Sequence, residues 1–188
     1  GSFKGGRMYG AGEYTWTSGG SYIGTFREDF FEGKGIRRYK NSTIFEGEFK
    51  YDKRHGKGEI KYPSGSSYSG KWHFDYWHGF GFYKNGKGYS YEGNYRFNKK
   101  QGFGKEKLSN GDMYEGSFKN DYKEGYGVYT WKSGETYKGN WKNGKKHGFA
   151  ISEKNDQILK KGIWYNGVHK SNETGCIEIG QECLKNRL

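Results

Sequence analysis

The sequence predicts an all-β protein, built as an elongated, single-layer, twisted array of antiparallel β-hairpins. Three observations lead to this prediction: an excess of aromatic rings, an excess of glycine, and a fixed 23-residue spacing of both. The 188 residues include 18 Tyr, 13 Phe, 6 Trp and 34 Gly, but only 1 Pro. A typical domain contains about 7% glycine, and a helical bundle cannot carry such an excess in its helices.

Composition also excludes several other classes of protein. The net charge of +12 and the hydrophobic content of 31% are typical of disordered chains, but such chains are poor in aromatic rings. Collagen would require abundant proline and glycine at every third position. The sequence has no run of about 18 apolar residues that would span a membrane, and no apolar targeting segment opens it.

The repeat runs in register from Tyr22 to Leu159 without insertion or deletion. Each unit begins with an aromatic-x-Gly-x-aromatic segment, continues with a Gly-x-Gly pair and closes on a turn glycine. Self-similarity at a fixed period indicates stacked supersecondary units, each of which buries its apolar groups only against its neighbours. The first aromatic residues of the full units are Tyr22, Phe45, Tyr68, Tyr91, Tyr114 and Tyr137.

This period divides the chain into an array and a tail. The array comprises a partial unit at 1–21, full units at 22–44, 45–67, 68–90, 91–113, 114–136 and 137–159, and a partial unit at 160–168. Because the sequence starts inside a unit, we expect the native protein to continue upstream. The tail, 169–188, leaves the period, and its Ile177, Leu184 and Leu188 fall at roughly helical spacing. A short helix capping the last strand is therefore expected there.

Each unit is interpreted as one β-hairpin. In the first strand, period-2 alternation places both rings and the glycine on one face, as in Tyr114, Gly116 and Phe118. The second strand is expected to follow the Gly-x-Gly pair. A turn glycine, for example Gly134, then leads into the next unit. A glycine between two rings leaves a slot that a neighbouring ring covers. The array would then contain about 14 to 16 strands and extend roughly 70 Å.

These units resemble the MORN repeat, whose pattern is Y-E-G-x-W-x-x-G-x-x-x-G-x-G-x-Y-x-Y-x-x-G. The resemblance is closest at residues 137–148, which read YKGNWKNGKKHG, and at 114–120, which read YEGSFKN. It extends over residues 1–168. It implies a non-catalytic array that binds a protein partner at the cytoskeleton or the cell cortex. MORN arrays also occur beside catalytic domains, so an accessory role in a larger enzyme is a further alternative.

No residues break the repeat in a way that indicates catalysis, so the chain is not expected to be an enzyme. His55, His78 and His147 share one column, where an exposed turn residue is the simpler interpretation. The Gly-x-Gly pairs recur in every unit with no helix after them, which argues against a phosphate-binding loop. The two cysteines, Cys176 and Cys183, have no nearby metal-ligand pattern and favour a reducing, cytoplasmic setting. No metal or cofactor is expected.

Basic residues recur in columns and form one candidate surface. A regular strip of positive charge attracts anionic surfaces, so attachment to an anionic, phosphoinositide-containing membrane is an alternative function. The simpler interpretation is a solvated face that keeps the array soluble. Nucleic acid is not expected, because the column rings are needed to hold neighbouring strands together. The candidate lipid-binding residues are Arg27, Lys50, Arg96, Lys99, Lys100, Lys119 and Lys142.

Aromatic residues in the hairpin loops form the candidate partner-binding site. Exposed clustered rings mark interaction surfaces, although these rings would also fit folded back over the strands. The candidates are Phe30, Phe31, Tyr51, Phe74, Tyr76, Trp77 and Phe97.

A further series of rings, Phe80, Phe103, Tyr126 and Phe149, either lines a groove for a partner helix or thickens the core, and the core is the favoured interpretation. Homodimerisation through the C-terminal end is an additional expectation, since open sheet edges invite pairing.

Overall fold

The computed structural model describes residues 1–170, together with Glu178–Ile179 and Glu182–Cys183. It is built from strands joined by tight turns, and the described residues contain no helix. The strands are β1 Ser2–Lys4, β2 Arg7–Thr15, β3 Gly20–Arg27, β4 Phe30–Tyr39, β5 Ile44–Lys50, β6 Lys53–Lys61, β7 Ser67–His73, β8 Tyr76–Lys84, β9 Ser90–Arg96, β10 Lys99–Lys107, β11 Met113–Lys119, β12 Tyr122–Thr130, β13 Thr136–Lys142, β14 Lys145–Lys154, β15 Gln157–Tyr165, β16 Val168–Lys170, β17 Glu178–Ile179 and β18 Glu182–Cys183.

Strands β1 to β16 form one open antiparallel sheet in which the spatial order follows the chain order. The predicted all-β, single-layer array of hairpins is therefore confirmed. Every strand pairs only with the strands before and after it in the sequence, as expected for units that bury their apolar groups against neighbours. Strands β17 and β18 pair separately with each other.

The core lies on one face of this sheet, here called the ring face. Tyr22, Gly24 and Phe26 alternate along β3, and both rings are buried. Each first ring packs edge-on against the second ring of its own strand, with centroids 5.2 Å apart for Tyr22 and Phe26. Tyr22 makes the same contact with Phe49, which is the second ring of the following unit. Ring-to-ring contacts thus link each unit to the next.

Glycine is required where the rings cover the strands. Gly24 of β3 pairs with Gly35 of β4, and the Tyr22 ring covers both residues. A Cβ atom on Gly35 would lie 2.5 Å from the Tyr22 ring, which is well inside van der Waals contact. The Tyr22 hydroxyl donates a 3.0 Å hydrogen bond to the Thr25 carbonyl oxygen, which holds the ring flat on the strand. Burial raises the pKa of Tyr22 to about 12.

The hairpin turns differ from the expectation in length and position. Strand β4 begins at Phe30, before the Gly-x-Gly pair, so only Glu28 and Asp29 connect it to β3. Both residues have positive φ angles, of 52° and 71°, which is typical of the two-residue type I′ turn. The second strand of the unit was therefore wrongly predicted to follow the glycine pair.

The Gly-x-Gly pair instead lies at a bulge inside the second strand. Gly24 pairs with Gly35 and Thr25 pairs with Glu32, so Gly33 and Lys34 have no partner on β3. Gly33 adopts a φ of 67°, and the equivalent glycines in the later units adopt similar angles. A positive φ explains why this position is glycine in every unit.

The turns also fasten each hairpin to the preceding one. The Asp52 carboxylate accepts a 2.7 Å hydrogen bond from the Phe31 backbone N–H, and the Asp52 N–H donates to the Phe31 carbonyl oxygen at 3.2 Å. Asp29, Asp75, Asn98 and Asp121 accept the equivalent bond from a residue 21 positions earlier. These bonds link neighbouring hairpins beside the bulge.

The last described strand of the large sheet, β16, ends at Lys170. The helical cap expected over 169–188 lies largely outside the described residues. Within that segment, His169 and Lys170 belong to β16, and the only other described residues are the strands β17 and β18.

Candidate functional site

One residue of each second strand lies over the rings, and these residues form what we call the lid column. Phe31 stacks on Tyr22 with centroids 3.8 Å apart, and Trp77 stacks on Tyr68 at 4.3 Å. In other units a cation takes this place, as where the Arg54 guanidinium lies 4.5 Å from the Trp72 ring centre. The lid column comprises Phe31, Arg54, Trp77, Lys100, Lys123 and Lys146.

Two candidate partner-binding residues belong to this column. Phe31 is buried and Trp77 is half-buried, because each is the second residue of its strand and lies on the ring face. Their rings contact other rings of the core and present little surface to a partner. Neither residue lies in a loop, since the loop between the strands is only two residues long.

Lys100, a candidate lipid-binding residue, also lies in the lid column. Its Nζ donates hydrogen bonds to the Glu106 carboxylate and, at 3.1 Å, to the Tyr89 hydroxyl. Lys123 Nζ lies 3.0 Å from the same carboxylate. Both lysine side chains are largely buried, so Lys100 is not available to a membrane surface. The candidates Arg27, Lys50, Arg96, Lys99, Lys119 and Lys142 are exposed.

The other five aromatic candidates lie together at the turn edge of the sheet. Tyr51, Phe74 and Phe97 are each the first residue of a hairpin turn, and Phe30 and Tyr76 each begin a second strand. Phe30 contacts Tyr51 at a centroid distance of 5.9 Å, and Tyr76 contacts Phe97 at 5.7 Å. These five residues are 37–60% exposed, and we call them the aromatic rim.

Three rim residues adopt a backbone conformation that bulky side chains rarely occupy. Tyr51, Phe74 and Phe97 have φ angles of 49°, 46° and 48°. Asn120 and Asn143 occupy the same position in later turns, and asparagine is tolerated there because its short polar side chain bonds locally. The three aromatic residues therefore keep a strained turn position while remaining exposed.

Histidines lie beside the rim. His55 contacts Phe74 at 4.7 Å, and His73 lies between His55 and His78 at 5.3 and 5.5 Å. His55, His78 and His147 are in second strands and half-buried, so the expected exposed turn position was wrong. Burial, followed by the charges of His73 and Lys50, lowers the pKa of His55.

The face opposite the rings, here called the open face, carries the series Phe80, Phe103, Tyr126 and Phe149, which we call the aromatic stripe. Each stripe residue lies between two glycines or between a glycine and Ala150, whose positions face the rings. Alternation therefore directs the stripe to the other side of the sheet. These side chains are 42–60% exposed, so the favoured interpretation of the series as core was wrong.

The open face also contains hollows. A groove of about 930 Å³ extends over β4 to β8, and its lining includes Ile36, Phe80, Lys57 and Glu59. A smaller hollow of about 280 Å³ lies between two hairpin turns and includes Arg96, Lys99 and Lys119. The sequence analysis offered a groove lined by the stripe as the less favoured alternative, and Phe80 is the stripe residue in the lining of the larger groove.

Within the described residues, no cluster of three or more His, Cys, Asp or Glu side chains is arranged to bind a metal ion. The same part of the chain has no helix with the length and apolar character needed to cross a bilayer.

Two solved structures resemble this fold at low sequence identity. The SAS-4 (dCPAP) TCP domain of Drosophila melanogaster, solved with a proline-rich motif of Ana2 (dSTIL), is 13% identical with a TM-score of 0.45, covering 82% of this chain and 89% of that one. The G-box domain of the microcephaly protein CPAP is 12% identical with a TM-score of 0.39, covering 83% and 99%. At these scores the likenesses carry no conclusion about partners.

Sequence comparison is more informative. No curated protein sequence matches the chain significantly. The MORN repeat matches residues 1–21, 22–44, 45–67, 91–113, 114–136 and 137–156. The unit at 68–90 is outside these matches, although β7 and β8 form the same hairpin there. Because the matched segments cover more than half of the sequence, the chain belongs to the MORN repeat family.

Proposed function

We propose that this protein is a non-catalytic scaffold that binds a protein partner through the aromatic rim and the adjoining open face. The observation that carries the proposal is the strained and exposed position of Tyr51, Phe74 and Phe97. A ring at a left-handed turn position costs free energy, and exposure in water does not offset that cost. In the equivalent turns of other units, Asn120 and Asn143 occupy this position, so the turn itself does not require an aromatic residue there.

The chemistry of the rim also supports protein binding. Tyrosine, which the rim supplies at Tyr51 and Tyr76, is among the residue types that dominate binding energy at protein interfaces, and exposed aromatic clusters mark such surfaces. The groove crosses β4 to β8, and the rim residues Phe30 and Tyr76 begin β4 and β8, so one partner could contact the groove and the turn edge of the same strands. The family resemblance favours a cytoskeletal or cortical partner.

The test is the double substitution Phe74→Asn with Phe97→Asn. Because asparagine tolerates positive φ, we expect the melting temperature to stay equal or rise. Affinity capture from an extract of the source organism, followed by quantitative mass spectrometry, should show that partners retained by the original chain are lost. Cross-links from those partners should map to the rim and the open face.

Tyr122→Ala is the matched control, since Tyr122 is an exposed ring at the turn edge outside the rim, and capture should survive it. Undiminished capture by the double variant would contradict the proposal, as would a large fall in melting temperature, which would make the rings structural. Co-sedimentation with phosphoinositide-containing vesicles is run in parallel. Binding to these vesicles at physiological salt that requires the anionic lipid, without any captured protein, would favour membrane attachment through exposed cations such as Arg96 and Lys119.

A further inference from the structure

The aromatic stripe has a regular internal structure. Phe80 pairs with Asn94, Phe103 with Ser117, and Tyr126 with Asn140, and pairing places each couple on the same face of the sheet. Along the array, rings on every second strand therefore alternate with small polar side chains on the strands between. Each interval between two successive rings, here called a gap, therefore contains an amide or a hydroxyl group.

The spacing of the gaps discriminates between kinds of peptide. Rings two strands apart are about 9.6 Å apart along the array. A polyproline II helix advances about 9.3 Å in three residues, so its every third residue would meet successive gaps. In an α-helix, residues seven apart are about 10.5 Å apart, and the mismatch grows to nearly 3 Å over the four rings. An extended strand repeats a face every 6.6 Å or so, which does not match.

Charge on the open face is asymmetric about the stripe. On the turn side lie Arg96, Lys99, Lys119, Lys142 and Lys145, none of which forms an ion pair with a described carboxylate. Three of these cations line the 280 Å³ hollow between neighbouring turns.

On the other side of the stripe, some of the charges are matched within the sheet. Lys105 Nζ lies 3.1 Å from the Glu115 carboxylate, and Lys138 pairs with Glu153. Lys84 and Lys107 are exposed on this side and form no ion pair with a described carboxylate, but the larger group of unpaired cations lies on the turn side. The turn side is therefore the favoured side for a partner's acidic residues.

We propose that the aromatic stripe binds an acidic, proline-rich segment of a partner in the polyproline II conformation, running across the strands. Prolines at every third position occupy the gaps between the rings, as aromatic-lined grooves accept such ligands in other domains. Each three-residue turn of the helix has two further positions, and acidic residues at one of them face Arg96, Lys99 and Lys119. The Asn94 and Asn140 amides donate hydrogen bonds to peptide carbonyl oxygens, which a polyproline II backbone leaves free. This inference rests on the proposed function, since it names the class of partner for the same scaffold.

The test uses fluorescence anisotropy with a labelled twelve-residue peptide, (Pro-Ala-Glu)4, and the 188-residue chain. We expect saturable binding that (Pro-Ala-Lys)4 does not reproduce. An isomer with its prolines grouped at one end should bind at least tenfold more weakly, because it loses the three-residue match. Phe103→Ala with Tyr126→Ala should weaken binding about tenfold or more, since these rings form the central gap.

Phe82→Ala is the matched control, because Phe82 is an exposed ring on the same face but outside the stripe. It should bind within twofold of the original chain. Lys99→Gln with Lys119→Gln should reduce the preference for the acidic peptide over the basic one. Unchanged melting temperatures would show that all of these variants are folded.

Several results would overturn the inference. They are a failure to saturate at about 1 mM peptide, equal affinity for the grouped-proline isomer, and an affinity that Phe103→Ala with Tyr126→Ala does not change. Preference for an acidic amphipathic helix of equal length would assign the stripe to helix binding instead. If the peptide fails while rim-dependent capture of a protein succeeds, the inference falls and the proposed function stands. If capture fails as well, both fall.

Discussion

Glu106 shows how single residues adapt the ring face to charge. Its side chain is 5% exposed, and it accepts hydrogen bonds from Lys100 and from the Tyr89 hydroxyl while pairing with Lys123. Burial alone would raise the pKa of Glu106, but the hydrogen bond and charge of Lys100, followed by the charge of Lys123, hold it below its usual value. The single carboxylate of Glu106 therefore allows Lys100 and Lys123 to cover the rings of their units. In earlier units, Phe31 and Trp77 occupy the same lid-column position.

We predict that Glu106→Gln destabilises the protein at neutral pH, because it leaves Lys100 and Lys123 without their shared counter-charge. The expected loss is about 3 kcal/mol in the free energy of unfolding. Since the folded pKa of Glu106 is depressed, its contribution is full above the unfolded value of about 4.3 and disappears as pH falls through the folded pKa. Guanidinium unfolding at neutral and acidic pH should show the two proteins converging in acid.

Glu115→Gln is the control, because it removes a carboxylate from an ion pair that is exposed to solvent. Glu115 pairs with Lys105, but both side chains are at least half exposed, so the effect should stay below about 0.5 kcal/mol. A Glu106→Gln penalty that is the same at every pH would show that packing, rather than charge, explains the role of Glu106.

At the scale of the strand and the turn, alternation predicted some placements and missed others for identifiable reasons. Tyr114, Gly116 and Phe118 were correctly placed on one face because all three lie within β11, and the bulge opposite them is in β12. The same rule applied to Phe80, next to Gly81, would have directed it to the open face. That signal was available in the sequence.

The hairpin turn was harder to predict from sequence. The usual Asn-Gly signature of a type I′ turn occurs at Asn143-Gly144, but Phe74 and Asp75 take that place in another unit. Without the turn length, the face of Phe31 or Trp77 could not be assigned, because a shift of one residue moves a side chain across the sheet. The ion pairs of Lys100 depend on contacts between units, which spacing alone does not show.

The bonds that fasten consecutive hairpins lead to a prediction at this scale. Asp52→Ala removes the acceptor for the Phe31 N–H, and Phe31 is buried, so that donor loses its partner away from water. We expect a loss of about 2 kcal/mol in unfolding free energy. Hydrogen exchange at the Phe31 amide should accelerate, which separates the lost acceptor from strain in the turn.

Asp52→Asn is the conservative comparison, because Asn98 accepts the equivalent bond from the Trp77 N–H at 2.7 Å. It should remain close to the original stability and protection. If the asparagine and alanine variants lose equal stability, the carboxylate charge matters and the hydrogen bond does not.

At the scale of the whole molecule, the described array is a chain of neighbour-to-neighbour contacts. The sheet order follows the sequence through all sixteen strands, so each unit contacts only the units beside it. Stability in such arrays is approximately a sum of unit and interface contributions, and a unit removed in register should leave the remaining interfaces intact. The fixed 23-residue period supplies that register, since Ile44 and Ser67 occupy equivalent positions.

We therefore predict that deletion of residues 45–67 leaves a folded array shortened by about 10 Å, the width of two strands. Small-angle scattering should detect the change in maximum dimension, and circular dichroism should retain the strand signature. Deletion of 45–52 is the control, because it removes nearly all of β5 with its turn and reverses every later strand relative to β4. The pairing register between units is then lost, so folding should fail. The aromatic stripe begins at Phe80, beyond the deleted unit, so binding of (Pro-Ala-Glu)4 should persist while the rim loses Tyr51. Loss of folding in the full-unit deletion would mean that stability depends on the array as a whole rather than on adjacent units.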